Sequence, residues 1–493
     1  MRILALLVLA AAVAAGDKPR LVVIVSVDQM RPDTLTRFDA EYTGGLKRVL
    51  ERGARFRGFH DHAATETGPG HAVMTTGCHP GTAGIVANNW LDPRTLEGVY
   101  CVAGDAPDNL LRDGLGDWMK RADPKAKVFS VAGKDRAAIL MGGKGPDGVY
   151  WFDRKGEGFT ARGGAPEWLT AFNRDGWIDA VPEHWTYEPV PWLRADDYEG
   201  EAPRFGRAAP HPLRAGTLRE TLERLYGTPW LDEWTLRLAR ATVERFDLGG
   251  DESCDLLCLS LSACDTAGHL YGPRSQEIRD LVLRLDRHLG AFFEFLDARG
   301  AAWTAVLTAD HGVLPIPEAI RVDARRLLQD VESAVAAKVG HGALFRVASG
   351  DLYLDRARLA ELKLEPDAVL AALRGVLEAR PEVEAVFDRA QMMGGAGGEL
   401  AGLVRRSWHP DRSGDMLVVL KERRLFDMYG TGTTHGSPWL YDREVPLAFL
   451  GAGVRPGERD AAGRAGDIAP TFAALLGVKR TPGFPGAVLG PDR

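Results

Sequence analysis

The strongest constraint on this chain is a heptapeptide, LVVIVSV at residues 21–27, which is apolar and β-branched almost throughout and stops at Asp28. A run without polar alternation suits a strand covered on both faces, as in a parallel sheet between helical layers. The design recurs at 255–261 ahead of Asp265, at 303–308 ahead of Asp310, and at 445–450 soon after His435. Helical patterns fill the intervals. Ile278, Val282, Leu285 and Leu289 repeat at helical spacing within 275–298, and Asp467 and Gly477 bracket another helix as cap and stop. Buried strands alternating with amphipathic helices predict an α/β fold: a largely parallel central sheet flanked by helices, over residues 21–476.

Two stretches fit this alternation less well. Residues 90–234 hold nine of the twelve tryptophans, with frequent Gly and Pro, and predict a large insertion over one end of the sheet. Residues 315–425 contain shorter pieces (345–354, 366–378 and 416–420), which predict a second, smaller inserted subdomain.

The chain begins MRILALLVLAAAVAAG: one positive charge, a short apolar run, then small residues suited to cleavage near Ala14 or Ala15. This is the pattern of a signal peptide over residues 1–15, too short for a comfortable bilayer span. It predicts a periplasmic or secreted protein with no stable membrane span once the leader is removed. The formal net charge is −7 and there is no basic run, which argues against a polymer of nucleic acid as partner. A small phosphorylated substrate stays open, because a few local charges can dominate a site. Five cysteines are not a disulfide scaffold, although an exported protein could form one bridge, with Cys78–Cys101 the pair to consider. Cys254, Cys258 and Cys264 read as small buried side chains.

Ligands of a parallel sheet sit beyond the carboxyl ends of its strands. Acidic and imidazole residues gather there in this chain. Asp28 directly follows its strand; Asp265 and His269 are four apart in CDTAGH; Asp310 and His311 close the run AVLTADH; His435 lies in the loop GTGTTHGS. Taken singly, each could be a cap, a turn former or polar surface. Together, three Asp and three His at such ends suit zinc or a similar divalent ion, and two ions could share them and clamp the entering and leaving oxygens of phosphoryl transfer. The imidazoles disfavour magnesium or calcium, on ligand type alone.

The segment TETGPGHAVMTTG supplies a candidate nucleophile. Gly68-Pro69-Gly70 permits a sharp turn into a helix running through Met74, placing Thr67 at a helix N-terminus, where free N–H groups favour an anion. A threonine hydroxyl is a weak nucleophile unless a metal or base activates it. Without such help, Thr65 or Thr67 would simply cap the helix.

With these residues in view, the chain resembles the alkaline phosphatase superfamily, most closely the PafA-like bacterial phosphate monoesterases. The resemblance runs from Val23 to about Leu476, through VSVDQMRPD, TETGPGHAVMTTGCHPGTAGIVANN, SVAGKDRAAI, DTAGHLYGP, TADHG and TTHGS in that order. It implies an alkaline-phosphatase-like fold and two zinc ions. Asp28, Asp310 and His311 would hold one, against which Thr67 is the nucleophile; Asp265, His269 and His435 would hold the other. Asn88, rather than Asn89, matches the asparagine that donates to a phosphoryl oxygen. Lys134 and Arg136 resemble the pair that separates these monoesterases from diesterases.

That pair has a physical rationale of its own. Residues two apart on an extended segment point to the same side, so Lys134 and Arg136 would reach one ligand with Asp135 turned away. A monoester carries two negative charges where a diester carries one, and an ammonium with a guanidinium adds donors at that place. The expected activity is hydrolysis of small phosphate monoesters through a phosphothreonine. His71 reads as structural, and His60, His62 and His79 carry no assigned role. A phosphodiesterase or nucleotide pyrophosphatase on the same scaffold is the nearest alternative. A sulfatase is less favoured, since CHPGT has no Arg in the C/S-x-P-x-R pattern. A catalytically inactive binding or surface protein would need the metals to be absent.

Overall fold

The computed structural model describes residues 18–395, 397–427, 430–481 and 485–492. The leader read at residues 1–15 lies outside them. Nine strands form the central sheet, in the spatial order Gly457–Arg464, Ala54–Phe59, Glu444–Gly451, Trp303–Thr308, Leu21–Val27, Asp255–Leu261, Val128–Ala132, Gly148–Asp153 and Gly158–Ala161. Every residue of the Leu21–Val27, Asp255–Leu261 and Trp303–Thr308 strands is buried, as their unbroken apolar runs require.

The middle of this sheet is parallel. Leu21–Val27 pairs in parallel with Asp255–Leu261 on one side and Trp303–Thr308 on the other, and the Val128–Ala132 and Gly148–Asp153 strands extend the same direction. Glu444–Gly451 breaks the pattern, running antiparallel to both of its neighbours. It repeats the apolar composition of the parallel strands but not their direction, and composition cannot distinguish the two for a strand covered on both faces. The reversal matters for function. His435 precedes this strand, so only an antiparallel course brings that residue to the edge where the parallel strands end.

Helices cover both faces. Gln276–Ala298, capped by the Ser275 hydroxyl accepting from the Ile278 N–H, buries Ile278, Val282, Leu285 and Leu289 as the periodicity predicts. Ile468–Leu476 has Asp467 at its N-cap position and Gly477 in the left-handed region (φ +69°) at its end. Asp467 does not cap through its side chain; its carboxylate instead accepts from the Arg464 and Ala487 N–H groups.

The stretch 90–234 differs from the sequence expectation. Three of its strands, Val128–Ala132, Gly148–Asp153 and Gly158–Ala161, belong to the central sheet rather than lying over its end. They are only five, six and four residues long, which hid their membership. The second insertion is a distinct unit. Its antiparallel four-stranded sheet has the order Phe345–Ala348, Asp351–Leu354, Met416–Leu420, Val383–Asp388, with Ala324–Val339 and Pro366–Leu377 as its helices. The chain enters and leaves it through adjacent parallel strands, Ile320–Asp323 and Arg424–Asp427.

All five cysteines are free, so the Cys78–Cys101 bridge considered from the sequence is not formed. Both side chains are buried instead in an apolar cluster with Ile85, Trp90 and Ile139. No helix among the described residues is long and apolar enough to cross a membrane.

Candidate metal centre and active site

Asp28, Asp265, Asp310 and Lys134 all lie just past the carboxyl ends of parallel strands, and the loop ahead of Glu444–Gly451 delivers His435 to the same edge. Asp265 and His269 fall on one turn of the Ala263–Tyr271 helix, with His269 Nε2 3.2 Å from Asp265 Oδ1. Ligand atoms of Asp28, Asp310 and His311 lie within 4.8 Å of one another, and so do those of Asp265, His311 and His435. His311 thus takes part in both groups, and its ring stacks on that of His435 at 3.6 Å between centroids. His269 stands outside the second trio but against the same Asp265 oxygen.

Each imidazole is oriented by its other nitrogen. Nδ1–H donates to the Thr433 carbonyl in His269, to the Thr65 carbonyl in His435 and to the Gly312 carbonyl in His311. All three therefore turn Nε2 toward the centre, the arrangement in which outer hydrogen bonds orient metal-ligating histidines. Two glycines permit the close approaches. A Cβ on Gly70 would lie 2.2 Å from the Asp310 carbonyl oxygen, and one on Gly432 (φ +71°) 2.3 Å from the His269 carbonyl oxygen.

The donor set fits a cation. Asp28, Asp310 and His311 are fully buried, yet Asp28 Oδ1, Asp310 Oδ2 and His311 Nε2 make no hydrogen bond. Unpaired polar atoms at such depth are costly unless a ligand satisfies them. Burial, reinforced by Asp310, pushes the Asp28 carboxyl up to about 7, and burial likewise raises Asp310 to about 6. Burial also acts to raise Asp265, but Lys134 and His269 outweigh it and hold this carboxyl well below its usual range. Burial, with His435 alongside, keeps His311 neutral. Buried carboxylates that repel one another gain from a cation placed between them, and a neutral imidazole such as His311 is the form that ligates one.

Thr67 opens the Thr67–Thr76 helix, and Glu66, not Thr67, occupies its N-cap. The Thr67 hydroxyl is consequently free of capping duty and faces two cations: Lys134 Nζ and one Arg136 terminal nitrogen each lie 3.4 Å from Oγ1. Lys134 also bridges the two ligand groups, its ammonium 2.7 Å from Asp28 Oδ2 and 2.5 Å from Asp265 Oδ2.

Lys134 and Arg136 converge, but not on an extended segment. The strand ends at Ala132, Lys134 is the extended N-cap of the Asp135–Gly142 helix, and Arg136 is already helical. Asp135 is turned away as expected, accepting from the Tyr100 hydroxyl at 2.8 and 2.9 Å. Asn88 accepts the Gly68 N–H through Oδ1 at 2.7 Å, which leaves its amide donors for a ligand.

Three neighbours carry no motif of their own and escaped the sequence reading. Glu66 accepts the Asn88 N–H at 2.7 Å, tying the asparagine to the nucleophile helix. Gln29, at φ +66°, links both ligand groups: its N–H donates to Asp310 Oδ1 and its side-chain amide to Asp265 Oδ1. Asp442 accepts from the Ser437 N–H and hydroxyl, bracing the loop that carries His435. His71 is structural, donating through Nδ1 to the Thr67 carbonyl and meeting the Ser260 hydroxyl through Nε2. His60 and His62 contact each other in the interior, and His79 pairs with Asp61 at 3.0 Å.

Residues 22–438 match the family of type I phosphodiesterases and nucleotide pyrophosphatases. The chain belongs to that family. Within it, the PafA-like resemblance holds over nearly the whole length. The chain is 34% identical to the alkaline phosphatase PhoK of a Sphingomonas species, over 94% of this chain and 89% of PhoK. It is 30% identical to the alkaline phosphatase PafA of Elizabethkingia meningoseptica, over 97% of this chain and 94% of that one. The crystal structure of wild-type PafA superposes with a TM-score of 0.88 at 29% identity, covering 97% of this chain and 99% of PafA. This family member is thus an enzyme with a hydrolase's centre, built around a candidate metal site beside Thr67.

Proposed function

We propose that the protein hydrolyses phosphate monoesters with two zinc ions and a phosphothreonine intermediate. The observation that carries this reading is the convergence of Lys134, Arg136 and the Thr67 hydroxyl beside two clusters of candidate metal ligands. Asp28, Asp310 and His311, with Thr67, would hold one zinc, and Asp265, His269 and His435 the other. When bound, the two ions supply Lewis acidity to the entering and leaving oxygens of an in-line displacement.

The chain's own groups do the rest. Arg136 and Lys134 place positive charge where the dianionic phosphoryl group sits, and Asn88, fixed through the Gly68 N–H and Glu66, offers an amide donor to one of its oxygens. The Thr67 oxygen attacks phosphorus, a Thr67 O–P bond forms, and the bond from phosphorus to the alcohol oxygen breaks. Water then attacks the phosphothreonine from the vacated side, releasing phosphate and restoring the hydroxyl. Positioned charge accounts for both steps, so no histidine is needed as a general base.

A further support comes from a solved PafA variant, 28% identical with a TM-score of 0.89, in which a threonine, an asparagine, a lysine and an arginine are substituted. The threonine and asparagine are spaced along that chain as Thr67 and Asn88 are here, and the lysine and arginine as Lys134 and Arg136 are. The start of the chain, with its signal-peptide pattern at 1–15, fits a periplasmic or secreted enzyme whose catalytic unit spans 21–476, with a smaller inserted subdomain at about 315–425.

The test compares turnover of phenyl phosphate with that of diphenyl phosphate, and traps acid-quenched enzyme for phosphothreonine. Preference for the monoester with label on Thr67 is expected. Preference for the diester would move the protein to the phosphodiesterase side of its family.

A further inference from the structure

The loop that carries His435 has a second face. A cavity of about 490 Å³ opens there, between Thr434–Pro438 and the inserted four-stranded sheet. The helix Ala324–Val339 lines one side with Leu327, Leu328 and Val331, and Leu352, Val418 and Leu420 of the inserted sheet line another. His435 itself and Glu66, the residue before Thr67, belong to the wall. The volume is that of a pocket for a small organic molecule, and its lining is predominantly apolar. Leu328 and Val347, also in the lining, stay 39% and 42% exposed. Phosphoryl transfer has no use for this hydrocarbon.

We propose that the cavity receives the alcohol part of the substrate, so that the preferred substrates are phosphate monoesters of extended apolar alcohols, long-chain alkyl or aryl. The inference rests on the monoesterase reading above. On the in-line reading above, the leaving oxygen departs opposite Thr67, toward the group of Asp265, His269 and His435. Of these, His435 is the residue shared with the cavity wall. An alkyl chain leaving in that direction passes His435 and meets Leu328 and Val418. The covalent chemistry is unchanged, with the alcohol departing from phosphorus and taking up one proton from solvent.

The experiment uses the metal-loaded full chain with ethyl and octyl phosphate, whose leaving alcohols differ in length but hardly in acidity. Wild-type kcat/KM should be about tenfold or more higher for octyl phosphate, the discrimination an apolar pocket provides. Leu328→Asp and Val347→Asp, both at partly exposed positions that tolerate a polar side chain, should lower octyl turnover about tenfold and leave ethyl turnover unchanged. Calorimetric binding of octylphosphonate against ethylphosphonate gives a readout independent of catalysis. Octylphosphonate should bind more tightly to wild type and lose that advantage in both variants. Turnover of both esters without dependence on chain length overturns the pocket while leaving the monoesterase standing. Turnover of neither overturns both.

Discussion

His435 divides two environments that could hardly differ more. On one side are three buried carboxylates, two further imidazoles and a buried ammonium, the last 3.4 Å from the Thr67 hydroxyl. On the other is a cavity walled by leucine and valine side chains. The charged side is assembled from strand ends of the central sheet, whose ladder hydrogen bonds hold Asp28, Asp265 and Asp310 in fixed relation. The apolar side is assembled mostly from an insertion that joins the sheet through only two short strands. The candidate centre and most of the cavity wall thus belong to different structural units, and on the proposals above substitutions in one should leave the other's signature intact.

The largest effect should come from Thr67→Ala. Turnover of short and long monoesters should fall together by on the order of 10³-fold or more, with no phosphothreonine trapped by acid quench. Unequal losses for ethyl and octyl phosphate would blur the division. Removing metal with a chelator should likewise abolish both activities and lower the denaturation midpoint, since ions bound only by the folded state stabilise it. At a hundredfold excess over Kd, each contributes about 2.7 kcal/mol. Restored zinc should recover both activity and midpoint, as read by calorimetry and assay.

Lys134→Ala should reduce monoester turnover by about 10²-fold, typical for loss of a charged donor at a developing anion, and diester turnover by less. Equal loss of both would remove Lys134 from the specificity argument. The smallest effect on catalysis should come from Asp286→Ala. Asp286 is buried and accepts from the Thr43, Gly44, Leu46 and Lys47 N–H groups, so it anchors the Gly45–Arg52 helix and takes no part in the candidate centre or the cavity wall. Stability should fall by about 2 kcal/mol in denaturant titrations, with kcat and chain-length preference unmoved at 25 °C.

Much of the candidate centre was legible before folding was considered, because Asp and His at the ends of apolar strands stand out in the sequence. Asp28, Asp265, Asp310 and His311 follow apolar strands, and Thr67 follows from the Gly-Pro-Gly helix start. Gln29 and Glu66 were not legible. A single Gln or Glu beside a motif has no pattern, and each acts through contacts hundreds of residues away or with a backbone N–H. Lys134 and Arg136 do come together, both at the Thr67 hydroxyl, but not for the local reason read from the sequence. Their geometry comes from the start of a helix, not from an extended strand. The strands between 128 and 161 were missed because they are only five, six and four residues long.

The order of residues along the chain determined which elements are buried and which ligand chemistry is available, since apolar runs and Asp/His chemistry are local properties. Only the tertiary structure decided the direction of the Glu444–Gly451 strand, and with it the arrival of His435 beside Asp265 and His311. Strand direction depends on which hydrogen-bonding partners are free when the sheet closes, and no stretch of sequence contains that information by itself.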